Sequence, residues 1–180
     1  MQTFELQKSF LRAHNIAARG HSNQSLLDHL VGVRGLLVDW GANDALAAAG
    51  LFHSVYGTES YRQEALPLDL RPQVRVVIGE EAERRAYLFG AMAKESFEAS
   101  VERGARFELK DRHAGEVVPL DEGEWSDLCE LVVANWLEQR PRVAPQYMQL
   151  KAEMFRKLRC WLSTPASEAL SSAYGFPPAA

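Results

Sequence analysis

The sequence predicts a mostly α-helical domain carrying one small β-hairpin. Three observations lead there. Apolar residues recur at helical spacing, most clearly in Leu26, Leu30, Val33, Leu37 and Trp40. Glycines and prolines punctuate the periodic stretches, at Gly20, Gly41, Gly57, Gly104, Pro141 and Pro145. One segment departs from the helical period: Phe107 and Leu109 alternate with Arg106, Glu108 and Lys110 before a turn at His113-Ala114-Gly115.

Taken in order, residues 4–18 place Phe10, Leu11, His14 and Ala17 at helical spacing and stop at Arg19-Gly20. Ser22 or Asn23 is expected to cap a second helix over 24–40, because a short polar side chain can accept from the first unpaired amides. Gly41 ends it, and Asn43 or Gly41 caps an alanine-rich third helix over 44–53, whose small side chains suit a central position. Pro67 and Pro72 bracket a polar linker with a short helical turn. Residues 74–92 read as helix with a break at Gly79, and 95–103 as another. The hairpin spans 106–120. Trp125, Leu128, Cys129, Val132 and Trp136 then form one stripe of a helix over 121–139. A last amphipathic helix is expected over 145–162, and 164–180 as a loose tail.

Length and composition fit this picture. The 180 residues suit one domain, here residues 1–163, and 47% apolar residues are enough for a core without disulfide or zinc staples. A formal net charge of -4 speaks against a nucleic-acid partner, which needs a basic face. Cys129 and Cys160 show no paired spacing and read as reduced thiols of a cytoplasmic protein. The first residues lack a basic stretch followed by an apolar run, so no signal peptide is expected. The most apolar stretch, 45–55, is far short of the roughly 20 residues that span a bilayer, so no membrane partner is expected. The aromatic C-terminal segment, with Tyr147, Phe155 and Trp161, serves either the core or a homodimer interface.

Two histidines draw attention. His29 lies beside the stripe of the second helix, and His53 on that of the third with Leu46 and Ala49. Neutral imidazoles turned inward from two helices can share a metal ion. Singly, each reads more readily as a buried, hydrogen-bonded core residue. The run His53-Ser54-Val55-Tyr56-Gly57-Thr58-Glu59 adds convergent polar groups at one helix end, suited to a small-molecule ligand. There is no P-loop, no Gly-x-Gly-x-x-Gly and no nucleophile elbow around Ser54. Glu80, Glu81 and Glu83 read as a solvated helix start, and Arg84-Arg85 as a solvated face.

The order of these pieces, a helical His29 followed two dozen residues later by Ala49-Gly50-Leu51-Phe52-His53-Ser54, resembles the HD phosphohydrolase superfamily over residues 24–139. The nearest likeness is to alarmone hydrolase domains, which have a similar segment and a helix like Ile78-Gly79-Glu80-Glu81-Ala82-Glu83. The phrase from His53 to Glu59 is also similar to one shared by a family of small proteins. The resemblance implies an HD-like helical bundle. It maps His29 and His53 onto the two metal histidines, Ser54 onto the aspartate of the His-Asp doublet and Asn135 onto the late aspartate. Gly57 and Thr58 replace the acidic pair that alarmone hydrolases use near the site.

Both metal carboxylates are therefore replaced by weak neutral ligands. A rebuilt site recruits His21, giving three histidines able to hold Zn²⁺ with an open position. Alternatively it recruits Glu59, giving the two-histidine, one-carboxylate set of Fe(II) oxygenases. His53, Glu59 and Tyr56 are the candidate catalytic groups. Ser54, Thr58 and Asn135 are the candidate ligand-binding groups, and His29, His53 and His21 the candidate metal ligands. Three readings stay open: a metal-dependent hydrolase of a small polar or phosphorylated metabolite, an Fe-dependent oxygenase, and a metal-free binding protein.

Overall fold

The computed structural model describes residues 2–21, 24–104, 106–143 and 151–177, the side chains of Gln2, His21 and Gln24 excepted. The fold is mostly α-helical with a small antiparallel hairpin. Helix α1 (Gln2–Ala13) leads through a 3-10 turn to a two-residue ladder of β1 (Gly20–His21) and β2 (Gln24–Ser25). Then come α2 (Leu26–Asp39), α3 (Asp44–Phe52), α4 (Arg71–Ile78), α5 (Glu80–Ala91) and α6 (Lys94–Arg103). Strands β3 (Glu108–Lys110) and β4 (Val117–Pro119) pair as the expected hairpin, and α7 (Glu122–Gln139) follows. The chain closes with α8 (Ala152–Leu158) and α9 (Thr164–Tyr174).

Local chemistry sets the helix ends. Ser25 accepts from the Asp28 amide and caps α2, in place of the expected Ser22 or Asn23, which lie outside the described residues. Asn43 caps α3 through the Leu46 amide, and Asp121 caps α7 through Glu124. Gly79, at φ 87, separates α4 from α5 where the sequence predicts a break.

Two apolar clusters divide the interior, and α2 serves both. Leu26, Leu27 and Leu30 join Leu11, Phe52 and Val74 in the first. Val33, Leu37 and Trp40 join Trp125, Leu128 and Phe155 in the second. Helix α3 is buried along most of its length and packs on α2, α5 and α7. Its Gly50 allows this, since a Cβ there would lie 2.5 Å from Leu37 Cδ1. The hairpin is pinned by Phe107, which stacks on Trp125 at 4.8 Å between ring centroids, a pairing that adds about 0.5–1.5 kcal/mol to the burial itself.

Three expectations are corrected. Residues 164–174 are no tail: Ser163 caps α9, and Ala166 and Leu170 are fully buried against the second cluster. The last amphipathic helix stops at Leu158, before the expected end at 162. It runs over Ala152–Leu158 into a 3-10 turn holding Cys160, while 144–150, with Tyr147, lie outside the described residues. The acidic start of α5 is not all solvated. Glu83 is completely buried and takes Arg71 and Arg75 as partners. Phe155 belongs to the core, with Trp161 packed against it. Among the described residues no helix is long and apolar enough to cross a membrane.

Candidate functional site

His29 stands on α2 at the seam between the two clusters, and His53 directly follows α3. The close approach of α2 and α3 brings their rings to 5.0 Å between centroids, edge to face. His29 Nε2 and His53 Nε2 are 3.1 Å apart, and each lies 3.1 Å from Asn135 Oδ1 on α7. Three helices thus each bring one polar atom to the same point. Of the four residues that the HD resemblance maps onto one site, His29, His53 and Asn135 meet at this point.

The outer partners fix what those atoms are. His53 Nδ1–H donates to the Gly50 carbonyl at 2.7 Å. His29 Nδ1–H donates to the Glu138 carboxylate, which also accepts from Arg142 at 2.6 Å. Gln139 Nε2 donates to Asn135 Oδ1 at 2.9 Å and so holds the amide with its oxygen toward the histidines. A neutral imidazole protonated at Nδ1 presents a lone pair at Nε2. Two such nitrogens and an amide oxygen in mutual contact call for a positive charge among them, either a metal ion or a proton added to one ring.

The donor set fits an ion. Imidazole nitrogens bind divalent metals at about 2.0–2.1 Å, so two donors at right angles on one ion lie about 3 Å apart, as here. The carboxylate behind His29 is the usual outer partner of a metal-bound histidine. Among the described residues no three His, Cys, Asp or Glu side chains converge, and the third polar atom at this point is the Asn135 amide oxygen.

Asn135 is also the link to open space. It lines a cavity of about 910 Å³, together with Ser54, Thr58, Glu59, Gln139 and Phe89. Both histidines are fully buried. The Phe89 ring stands edge-on to His53 at 4.8 Å.

Ser54, Thr58 and Glu59 are cavity residues, as the sequence suggested, but two of them already have work. Thr58 Oγ1 accepts from the Tyr61 amide at 3.0 Å and shapes its own turn. Glu59 Oε2 accepts from the Lys94 amide at 2.7 Å and closes the start of α6, whose own N-cap, Ala93, has no side-chain bond to offer. Tyr56, expected among the catalytic groups, does not line the cavity. Its ring is completely buried outside the cavity, and its hydroxyl donates to Glu83 at 3.1 Å. Burial, with the Glu83 charge beside it, drives its pKa up, so the phenol stays protonated. The metal role expected for His21 concerns a side chain outside the described residues. Arg84 and Arg85 are held by Glu124 and Asp127.

Glu138, Gln139 and Arg142 are the residues that sequence reasoning missed. The available signal was spacing: Glu138 and Gln139 follow Asn135 by three and four positions, which places them on the same face of α7.

Residues 10–94 match a family described as Domain of unknown function (DUF6817). The matched stretch includes His29 and His53 and ends before Asn135. No curated protein and no solved structure matches the chain.

Proposed function

We propose that the chain is a diverged HD-like enzyme whose divalent ion, Zn²⁺ or Fe²⁺, is held by His29, His53 and Asn135 and which acts on a small metabolite bound in the adjoining cavity. The observation that carries this is the mutual 3.1 Å contact of two Nε2 atoms and one amide oxygen, with the Nδ1–H of each ring already donating to a carbonyl or a carboxylate. It also supports the HD resemblance, since three of the four residues mapped onto that pattern, His29, His53 and Asn135, are those that meet.

A divalent ion there would supply a Lewis acid that eases deprotonation of water near neutral pH. The chain's own groups do the rest. Glu138 and Arg142 set the His29 tautomer, and Gln139 orients the Asn135 amide. The full burial of both histidines leaves the cavity side, past Asn135 and Ser54, as the approach for substrate. The hydrolytic reading is preferred because the three donors are neutral, which leaves more of the ion's charge to polarise water than a carboxylate-rich site would. A cytoplasmic setting accords with the two free cysteines.

A second reading has one observation in its favour. The contact of His29 with the Glu138 carboxylate would also stabilise an imidazolium, whose Nε2–H could bridge His53 and Asn135 without any metal. The cavity would then belong to a binding protein.

Metal analysis separates the two. Protein purified without chelator is expected to carry Zn or Fe near one equivalent, and His29→Ala and His53→Ala to carry little. Wild-type protein that holds no metal and takes up no Zn²⁺, Fe²⁺ or Mn²⁺ on titration would sink the enzyme reading and leave the protonated dyad.

A further inference from the structure

The cavity wall away from the histidine corner carries two lysines, Lys151 and Lys94, and two carboxylates, Glu59 and Glu98. Lys151, at the start of α8, lines the cavity and is half-buried there. Its ammonium lies over the Trp136 ring, 5.9 Å from the centroid. Among the described residues it makes no ion pair. The second lysine of the wall, Lys94, stands near enough to repel it. Burial first, and Lys94 second, hold the Lys151 pKa below its ordinary value, with Glu98 offsetting a little. A partly desolvated ammonium beside a like charge is unfavourable on its own, and an anion placed between the two lysines would relieve both costs. Neither wall carboxylate pairs with Lys151 among the described residues: Glu59 has one oxygen committed to the start of α6, and Glu98 only partly offsets the repulsion from Lys94.

Much of the remaining wall is apolar: Phe89, Phe97, Met92, Val132, Met154 and the Trp136 ring. Flat and polarisable side chains of this kind take an aromatic or compact apolar body, while a few polar groups orient it.

We infer that the cavity binds an amphipathic anion, its apolar body against Phe89, Phe97 and Met154 and its carboxylate or phosphate group at Lys151 and Lys94. This names the substrate class for the enzyme proposed above, and rests on that reading only in calling the ligand a substrate. Seating of the anion depends on the lysines alone.

The test is calorimetric binding of a matched naphthyl series: 2-naphthoate, 2-naphthyl phosphate, 2-naphthalenemethanol and 2-naphthylmethylammonium. Wild-type protein, both as purified and after chelator treatment, is expected to bind at least one of the anions tenfold or more tightly than the alcohol and the cation. The tighter anion identifies the head group. Lys151→Gln should weaken that anion at least tenfold and leave the alcohol within twofold, and Lys94→Gln should weaken it less. His29→Ala, if folded by circular dichroism, should retain binding. Equal affinity for anion, alcohol and cation, or a Lys151→Gln variant that binds the anion like wild type, overturns the inference. Anion binding by a protein that never takes up metal would remove the enzyme reading and leave this one standing.

Discussion

Gly32 leaves the space that the Glu138 side chain fills: a Cβ built on Gly32 would lie 2.8 Å from Glu138 Cγ. Gly32 follows His29 by three residues on α2, so the helix that presents the imidazole also clears a bed for the carboxylate behind it. A glycine inside a helix costs about 1 kcal/mol relative to alanine. Here that cost is offset by a contact that an alanine would displace.

Gly32→Ala is therefore expected to separate stability from site function. Helix propensity gains up to about 1 kcal/mol, while Glu138 must swing away from His29. Losing an outer partner of this kind typically lowers metal affinity by about 10–100-fold. Zinc titration against a competing chelator, beside thermal unfolding, checks both. A variant with wild-type metal affinity would show that Glu138 does not tune His29.

Glu83 gives a pH prediction. Burial acts to raise its carboxyl pKa, but the hydrogen bonds and charges of Arg71 and Arg75 outweigh it and hold the value below 4.5, the ordinary one. A depressed folded pKa contributes stability that is present above the unfolded value and lost as pH falls through the folded one. Wild-type protein should lose stability as the pH drops below about 4.5, and Glu83→Gln should lose less over that interval. At pH 7 the same substitution takes the charge from hydrogen bonds to two partly exposed arginines, and a loss of about 1.5–3 kcal/mol is expected. Urea unfolding at pH 7 and pH 4 measures the difference. Parallel losses in the two proteins would place the acid sensitivity elsewhere.

The helices and the hairpin were legible because each buries a stripe or an alternating face, and periodicity records that directly. Three things were not. Glu83 sits in a run of charges that resembles a solvated helix start, and only the arrival of Arg71 and Arg75 from α4 makes its burial tolerable. Residues 164–174 look like a tail because their side chains are small, yet Ala166 and Leu170 suffice to dock α9 on α7. At the site, the sequence held His29, His53 and Asn135 together through a pattern. It could not assign Tyr56, because a tyrosine three residues after His53 points into the cavity or away from it according to how the chain turns after α3. Glu138 was hidden for a related reason: nothing in its neighbourhood marks it until α7 lies beside α2.

Gly90 and Gly57 predict where the cavity wall is weakest. A Cβ on Gly90 would meet the Gly57 carbonyl oxygen at 2.8 Å, and Gly57 itself is at φ 72. This contact seats the loop carrying Thr58 and Glu59 on α5. Backbone cannot swing aside as a side chain does, so Gly90→Ala should cost about 1–3 kcal/mol through overpacking. It should also loosen that loop, read as faster amide exchange at Thr58 and Tyr61. Unchanged stability would mean that the loop can withdraw from α5 freely.

Placing carboxylates at the histidine corner tests the metal reading most directly. Asn135→Asp puts a negative oxygen where the amide oxygen now lies, 3.1 Å from both Nε2 atoms. On the metal reading this strengthens binding of Zn²⁺ or Mn²⁺ at least tenfold, about 1.4 kcal/mol. Ser54→Asp, from the cavity wall beside His53, should add to that gain. On the dyad reading the same aspartate stabilises an imidazolium instead. Metal affinity then stays negligible in Asn135→Asp and in the double variant alike. Metal uptake that rises through Asn135→Asp and again in the double variant would establish the amide oxygen as the weak third ligand of a rebuilt site. No metal uptake by either variant would sink the metal reading.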